Sequence, residues 1–384
     1  MKKLALLLPA MRMGGAEKIA LNFLDDLTKH YDVTLVLNKI EGELLSKVQT
    51  GVTICEDRLS AFNEIFKADL KRLHIINIIK DIFYYICVKL KCRKERNYRY
   101  LIKRTPWNLG KFDIAIAYVA NVSTQIFSLA DRVQADKKIA WIHGETTELQ
   151  DIALYNDCYK GFDKIFTVSR VTYFHFIKKF PKCKDLVDVY YNPIKPEEIL
   201  RLAEEPMQDV MSSEKVNIVS VGRITPEKGF DMLPEIVSIL RKRNHRIHWW
   251  LIGDGTELNK IKEKAKTLNV EDYISFLGMK NNPYPYIKNC DIYVQPSYEE
   301  GYSTTICEAG ILGKAIIGTT TSGGIREQIV EGESALLADP NPEALVEKIE
   351  TLILNPAIKV LLEREAQKID FSNRDEIDKL IKGV

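Results

Sequence analysis

Short apolar runs alternate with amphipathic stretches along nearly the whole chain. Leu4–Leu8, Val33–Leu37, Ile114–Tyr118, Ile139–Ile142, Ile165–Val168 and Val187–Tyr190 read as one series of strands. Val216–Val221, Trp249–Ile252, Ile274–Leu277, Ile292–Val294 and Ala315–Ile317 form a second series. Most runs are continuous, not alternating, which marks parallel strands covered on both faces. The intervening stretches have helical spacing; in Ala16–Leu27, for example, Ile19, Ala20, Phe23, Leu24 and Leu27 share one face. Two series of strand–helix units predict two doubly wound α/β domains.

A length of 384 residues also favours two cores over one. The natural break is Tyr191-Asn192-Pro193-Ile194-Lys195-Pro196, where two prolines and a turn residue end the sixth strand. This divides the chain into a domain over 1–195, a second over 196–372, and a short amphipathic helix over 373–384.

Composition excludes several classes. Apolar residues at 46% and charged residues at 28% describe a folded chain and not a disordered one. No run of about 18 apolar residues predicts a spanning helix. The opening Met1-Lys2-Lys3 and the short apolar run before Pro9 are too brief for a secretory signal and read as a first strand. The cysteines (Cys55, Cys87, Cys92, Cys158, Cys183, Cys290 and Cys307) form no C-x-x-C pair and join no histidine cluster. They predict free thiols in a reducing cytosol.

The net charge of +2 hides an uneven distribution. Residues 66–106 hold twelve Lys/Arg against three Asp/Glu, so the rest of the chain is net negative. Within this stretch Ile75, Ile78, Ile79, Ile82, Ile86 and Leu90 share a helical face opposite Asn77, Lys80, Asp81, Tyr84 and Lys91, and a basic run follows. Such an element suits an anionic membrane surface. The plainer reading is a core-facing helix with a solvated basic edge. No nucleic-acid-binding motif accompanies the charge, so nucleic acid is not an expected partner.

The motif richest in chemistry follows the strand Ile292–Val294. Pro296-Ser297-Tyr298-Glu299-Glu300-Gly301-Tyr302-Ser303-Thr304-Thr305-Ile306-Cys307-Glu308 places Glu300 and Glu308 around a glycine-and-hydroxyl loop that opens a helix. The loop amides and helix N-terminus suit phosphate or sugar oxygens, and a carboxylate can hold two vicinal hydroxyls. That combination suits a nucleotide sugar. The competing reading makes Thr305–Glu308, and likewise Ser297–Glu300, a capping box. Arg223 and Lys228, in Gly222-Arg223-Ile224-Thr225-Pro226-Glu227-Lys228-Gly229, leave the first strand of the second domain. A guanidinium and an ammonium at such an edge can neutralise a leaving diphosphate without a metal. Gly14 and Gly15, before Ala16-Glu17, would let a diphosphate approach a helix N-terminus, or simply form a strand-to-helix turn. His143, ending the strand Ile139–Ile142 before Gly144, is a candidate donor-sugar contact or a structural histidine. Gly278 follows another strand end and could bring backbone groups to a nucleotide base.

Together these motifs resemble glycosyltransferase family 4. The resemblance is carried by Gly14-Gly15-Ala16-Glu17, His143-Gly144, Asn192-Pro193, Gly222-Arg223 with Lys228-Gly229, Gly278, Glu300-x7-Glu308 followed by Ala309, and Gly323-Gly324 with Glu327. It implies a retaining, metal-independent enzyme of the GT-B fold, two Rossmann-like domains facing a central cleft. It further implies Arg223 and Lys228 on the diphosphate, Glu308 on the ribose, Glu300 on the donor sugar and His143 near the anomeric centre. Ser303, Thr304 and Thr305 would line the donor site, although Tyr302-Ser303-Thr304-Thr305 replaces the commoner aromatic-Gly-Leu-Pro run. The residue after His143 is Gly144, where the family often has Asp or Asn.

The expected reaction moves a hexose-type sugar from a nucleoside-diphosphate donor, a UDP-sugar, to a lipid-linked glycan in surface polysaccharide synthesis. No cofactor is expected. The protein would be cytoplasmic and peripheral at the inner face of the cell membrane, through 66–106. A nucleotide-sugar epimerase of the same fold and an inert, membrane-recruited binding subunit are the alternatives.

Overall fold

The computed structural model describes residues 1–57, 62–71, 74–89, 94–120, 122–144, 149–207, 209–321 and 323–373. The helix expected over 373–384 lies outside the described residues from 374 onward.

The continuous apolar runs become parallel strands buried on both faces. Leu4–Leu8 form the inner part of β1 (Lys2–Leu8) and are all screened from water. Leu4 stands opposite Val33 on one side and Ile114 on the other. Around β1 assemble β2 (Tyr31–Leu37), β3 (Thr53–Glu56), β4 (Lys111–Ala117), β5 (Gln134–Ile142), β6 (Lys164–Thr167) and β7 (Val187–Val189), in the order β3-β2-β1-β4-β5-β6-β7. The helix Gly15–Leu27 buries Ile19, Ala20, Phe23, Leu24 and Leu27, the face its spacing predicts.

The second sheet is built from β8 (Val216–Val221), β9 (Ile247–Ile252), β10 (Ile274–Phe276), β11 (Ile292–Val294), β12 (Ala315–Thr319) and β13 (Leu336–Ala338), also parallel, in the order β10-β9-β8-β11-β12-β13. Helices such as Leu233–Lys242 and Pro342–Leu354 pack on it through Leu233, Ile236, Leu240, Leu345 and Ile349. The chain falls into two compact units, Met1–Pro193 and Ile194–Asn373. Both are α/β, Rossmann-like units. In each, strand order reverses beside the first strand, between β1 and β4 and between β8 and β11. Sheets of this kind bind ligands at such a reversal, beyond the carboxyl ends of the strands.

Three helices, Phe62–Lys71, Ile75–Lys89 and Lys94–Arg104, separate β3 from β4. The core-facing reading of the middle one is overturned. Ile75, Ile76, Ile79, Ile82, Phe83 and Ile86 are exposed, while Asp81 is 0% exposed and turned inward. The basic edge is also less free than its count suggests. Arg96 pairs with Asp151, and Arg99 Nε reaches Asp131 Oδ2 at 2.6 Å. Arg104 pairs with Asp69 and Asp81. No helix among the described residues is long and apolar enough to cross a membrane.

Candidate functional site

In the second unit the candidate residues gather where strand order reverses. Lys228 ends a single 3-10 turn, Pro226–Lys228, in the loop after β8. Glu300 lies in the loop after the neighbouring β11. Lys228 Nζ donates to Glu300 Oε1 at 2.8 Å, with side chains only 17% and 8% exposed. A charge-assisted bond so screened is stronger than a surface ion pair. Arg223, in the same loop as Lys228, is exposed and makes no salt bridge among the described residues.

Two close backbone approaches make this arrangement possible. Gly229 caps the Lys228 turn in the left-handed region (φ 68°), and a Cβ there would stand 2.1 Å from the Pro296 carbonyl oxygen. Any other residue would push the Lys228 and Glu300 loops apart. A Cβ on Gly324 would lie 2.4 Å from the Gly301 carbonyl oxygen. Gly324 N–H also donates to the Glu300 carbonyl, so the loop after β12 is fastened to the same place.

Behind Glu300 lies a polar network that sequence reasoning missed. Gln295, 1% exposed at the end of β11, accepts at its Oε1 from Tyr293 Oη (2.9 Å) and Thr305 Oγ1 (3.1 Å). Its Nε2 donates to Ser297 Oγ at 2.9 Å, and Ser297 Oγ donates to Glu300 Oε1 at 3.0 Å. Glu300 is thereby oriented from below while Lys228 approaches from the side. The missed signal was Gln295 itself, an amide directly after the apolar run Ile292-Tyr293-Val294. Such a group is buried only when its hydrogen bonds are satisfied.

The capping-box readings do not hold. The helix Thr304–Ile311 starts two residues earlier than Thr305 capping requires, with Ser303 as N-cap and no side-chain cap bond. Ser303 Oγ instead pairs with Thr305 Oγ1 at 3.2 Å, and Ser303 N–H donates to Gln328 Oε1 at 3.0 Å. The helix N-terminus is therefore left without a capping side chain, which favours anionic or oxygen-rich ligands. Glu308 lies buried in the next turn, where Tyr284 Oη donates to its Oε1 at 3.2 Å. Ser297 bonds Glu300 side chain to side chain, not as a helix cap. Gly278 is in the left-handed region (φ 65°) with open space beside it, and its carbonyl accepts from Gly253 N–H at 2.9 Å.

In the first unit, Gly14 and His143 occupy carboxyl ends of strands at or beside the reversal. Gly14 is the N-cap of Gly15–Leu27 in an extended conformation, and neither Gly14 nor Gly15 has a positive φ. The turn therefore uses no left-handed backbone. A Cβ on Gly14 would meet only the flexible end of Glu17, with Oε2 2.3 Å away, so a small shift of that carboxylate would accommodate it. His143 follows β5 with its ring 4.4 Å from that of Tyr118 and 5.3 Å from that of Trp141. The residue keeps some exposure, but Nε2 is sequestered with no hydrogen-bond partner among the described residues. Desolvation pushes its pKa down to about 3, so the ring is a neutral hydrogen-bonding group at physiological pH.

This shift has a stability consequence. Between its ordinary value of 6.5 and about 3, the unfolded chain binds a proton at His143 that the folded chain does not. Stability therefore falls as pH falls through that window, with a slope of up to about 1.4 kcal/mol per pH unit. In His143→Gln the slope should flatten by up to that amount in denaturant titrations across the window. Parallel slopes for the two proteins would show that the ring is solvated.

Residues 204–369, which include Arg223, Lys228, Glu300 and Glu308, match the family model for glycosyl transferases group 1. A Haemophilus influenzae protein described as an uncharacterized glycosyltransferase is 24% identical over 356 residues, covering 90% of this chain and 88% of its own. The Campylobacter jejuni N-acetylgalactosamine-N,N'-diacetylbacillosaminyl-diphospho-undecaprenol 4-alpha-N-acetylgalactosaminyltransferase is 22% identical, with 96% of this chain and 94% of that protein aligned. Among solved structures, Anabaena HepE in complex with UDP-glucose superposes with a TM-score of 0.72 at 16% identity, covering 100% of both chains. That likeness shows the fold, two Rossmann-like domains of the GT-B type. Residues 204–369 are thus similar to group 1 glycosyl transferases, and the chain as a whole to the two relatives named.

Proposed function

We propose that this chain transfers a hexose-type sugar from a UDP-sugar to a hydroxyl of a lipid-linked glycan, with retention of anomeric configuration and without a metal. The observation that carries the reading is the screened Lys228–Glu300 pair where the second sheet reverses, beside the unpaired Arg223 and within the stretch matched by group 1 glycosyl transferases. The UDP donor draws support from the nucleotide sugar bound by HepE, and the lipid-linked acceptor from the undecaprenol-linked substrate in the Campylobacter relative's name. Activity would take place at the inner face of the cell membrane.

The bond between the anomeric carbon and the diphosphate oxygen breaks, leaving its electron pair on the nucleoside diphosphate. Arg223 and Lys228 neutralise that charge as it develops, a role fixed cations fill without a Lewis acid. The acceptor hydroxyl adds to the anomeric carbon on the face the diphosphate leaves, and its proton passes to the departing phosphate oxygen. Glu300 accepts hydrogen bonds from the donor sugar and Glu308 from the ribose. Ser303, Thr304 and Thr305 offer the helix N-terminus and their hydroxyls, and the open backbone at Gly278 receives the base. The Gly14–Gly15 turn assists the diphosphate, and His143 contributes a neutral imidazole to the sugar hydroxyls.

A thermal-shift screen with UDP, GDP, ADP and their common sugar conjugates, with and without EDTA, tests this reading. UDP compounds should raise Tm by several degrees, because a ligand at about 100 times its Kd adds about 2.7 kcal/mol. EDTA should leave the shift unchanged. Silence towards every nucleotide would remove the donor site, and loss of the shift in EDTA would remove the metal-free mechanism.

A further inference from the structure

The helix Ile75–Lys89 is amphipathic in the wrong sense for a core element. Its exposed surface is an apolar strip of Ile75, Ile76, Ile79, Ile82, Phe83 and Ile86, with Ile76 71% and Phe83 60% exposed. At about 100° per residue these six positions occupy one contiguous face. The opposite, polar side is pinned inward. Asp81 is fully buried, accepting from Tyr100 Oη at 3.1 Å and pairing with Arg104 at 3.4 Å. Tyr84 stacks on Tyr100 with ring centroids 4.0 Å apart. The preceding turn is fixed the same way, with His74 Nδ1 3.0 Å from Asp69 Oδ1 and Arg104 on the other carboxylate oxygen of Asp69. Rotating the helix to bury its isoleucines would pull a carboxylate off its guanidinium, so these polar contacts hold the apolar face outward.

Charge identifies what covers that face. Asp81 is the sole acidic residue of Ile75–Lys89, so its exposed surface carries no negative charge. Lys80 borders the apolar strip, and Lys67 and Lys71 lie on the neighbouring helix Phe62–Lys71; all three are exposed and make no salt bridge among the described residues. The arginines of the third helix are consumed internally, by Asp131, Asp151, Asp69 and Asp81. Unpaired lysines on this helix and on its neighbour, together with the apolar strip, complement anionic headgroups above acyl chains. They oppose a second copy, which would bring the same lysines face to face. With 15 residues the helix is about 22 Å long, shorter than a hydrocarbon core, so it lies along the surface.

We propose that Ile75–Lys89 is a membrane-docking helix that lays its Ile/Phe face into an anionic lipid monolayer, held in that orientation by the Asp69–Arg104–Asp81 contacts. This narrows the expected 66–106 contact to one helix and three lysines. It requires neither sugar donor nor acceptor, so it can fail while the glycosyltransferase reading stands, and the reverse.

Flotation of the full chain with vesicles of phosphatidylcholine alone, and of phosphatidylcholine with phosphatidylglycerol, tests the proposal. Wild type should float with the anionic vesicles and much less with the neutral ones. Ile79→Asp/Phe83→Asp changes exposed positions only, so Tm should be unchanged while partitioning falls at least about tenfold. Lys67→Glu/Lys71→Glu/Lys80→Glu should bind weakly to anionic vesicles and lose the salt dependence seen in wild type. Flotation of the Asp variant equal to wild type, or no wild-type flotation with either vesicle, would overturn the proposal. So would light scattering that shows a lipid-free dimer dissolved by the Asp variant, because a second copy would then cover the face.

Discussion

Lys228→Ala should lower kcat/KM by about 10²–10³-fold, the cost typical of removing one fixed donor from a site where negative charge develops. Position and screening give Lys228 this weight. Lys228 is held at 2.8 Å from Glu300, and both side chains are largely withdrawn from water. A cation fixed before the reaction needs no rearrangement as the diphosphate takes up charge. The substitution also leaves Glu300 without its cation, although Ser297 Oγ (3.0 Å) and Gln295 Nε2 (3.4 Å) remain to satisfy the carboxylate. A modest stability loss of about 1–2 kcal/mol should therefore accompany the kinetic one. The two effects separate in Lys228→Ala/Glu300→Gln, where the unpaired negative charge is gone. That double variant should recover Tm and stay inactive. Turnover near wild type in Lys228→Ala would remove the lysine from the leaving-group site. Recovery of turnover in the double variant would make the pair structural.

The sheets were legible because their strands are continuous apolar runs. What escaped were two of the four edge strands. Thr53–Glu56 has no apolar run and no fully buried residue, since an edge strand pairs on one side only. Leu336–Ala338 is a three-residue strand at the opposite edge of the other sheet. The candidate site was half legible. Arg223, Lys228, Glu300 and Glu308 announce themselves by charge beside glycines at strand ends. Gln295, Ser297 and Tyr284, which orient the two glutamates, are ordinary residue types whose roles arise only from tertiary contact. The helix Ile75–Lys89 shows a different limit. Periodicity reveals that a helix has two faces, but not which one turns inward. Asp69, Asp81 and Arg104 decide it, and their pairing across 35 and 23 residues is invisible to any local pattern.

Asp57→Ala should be the most destabilising single change in the first unit, costing about 3–5 kcal/mol, as breaking a buried ion pair does. Arg132 and Asp57 meet through two bonds, Nη1–Oδ2 at 2.9 Å and Nη2–Oδ1 at 2.8 Å, with side chains 3% and 5% exposed. The remaining donors of the guanidinium are also placed. Nε reaches the Thr105 carbonyl at 2.8 Å, Nη2 the Pro106 carbonyl at 2.9 Å, and Nη1 the Ser128 hydroxyl at 3.3 Å. One side chain thus joins the residue after β3, the end of the three-helix insertion and the end of the helix Ser123–Asp131. Removing the carboxylate strands a buried cation with two orphaned donors and loosens the insertion at both ends. For a unit of this size the loss corresponds to a Tm fall of roughly 10 °C. Asp57→Leu/Arg132→Met should recover most of that loss, because an apolar pair of similar volume carries no desolvation cost. A fall of only about 2 °C in Asp57→Ala would mean that water reaches the guanidinium and screens it. Because the pair belongs to the unit that lacks Lys228 and Glu300, UDP-induced stabilisation should survive in Asp57→Ala below its melting transition. That separates this variant from Lys228→Ala, in which the fold is kept and the chemistry lost.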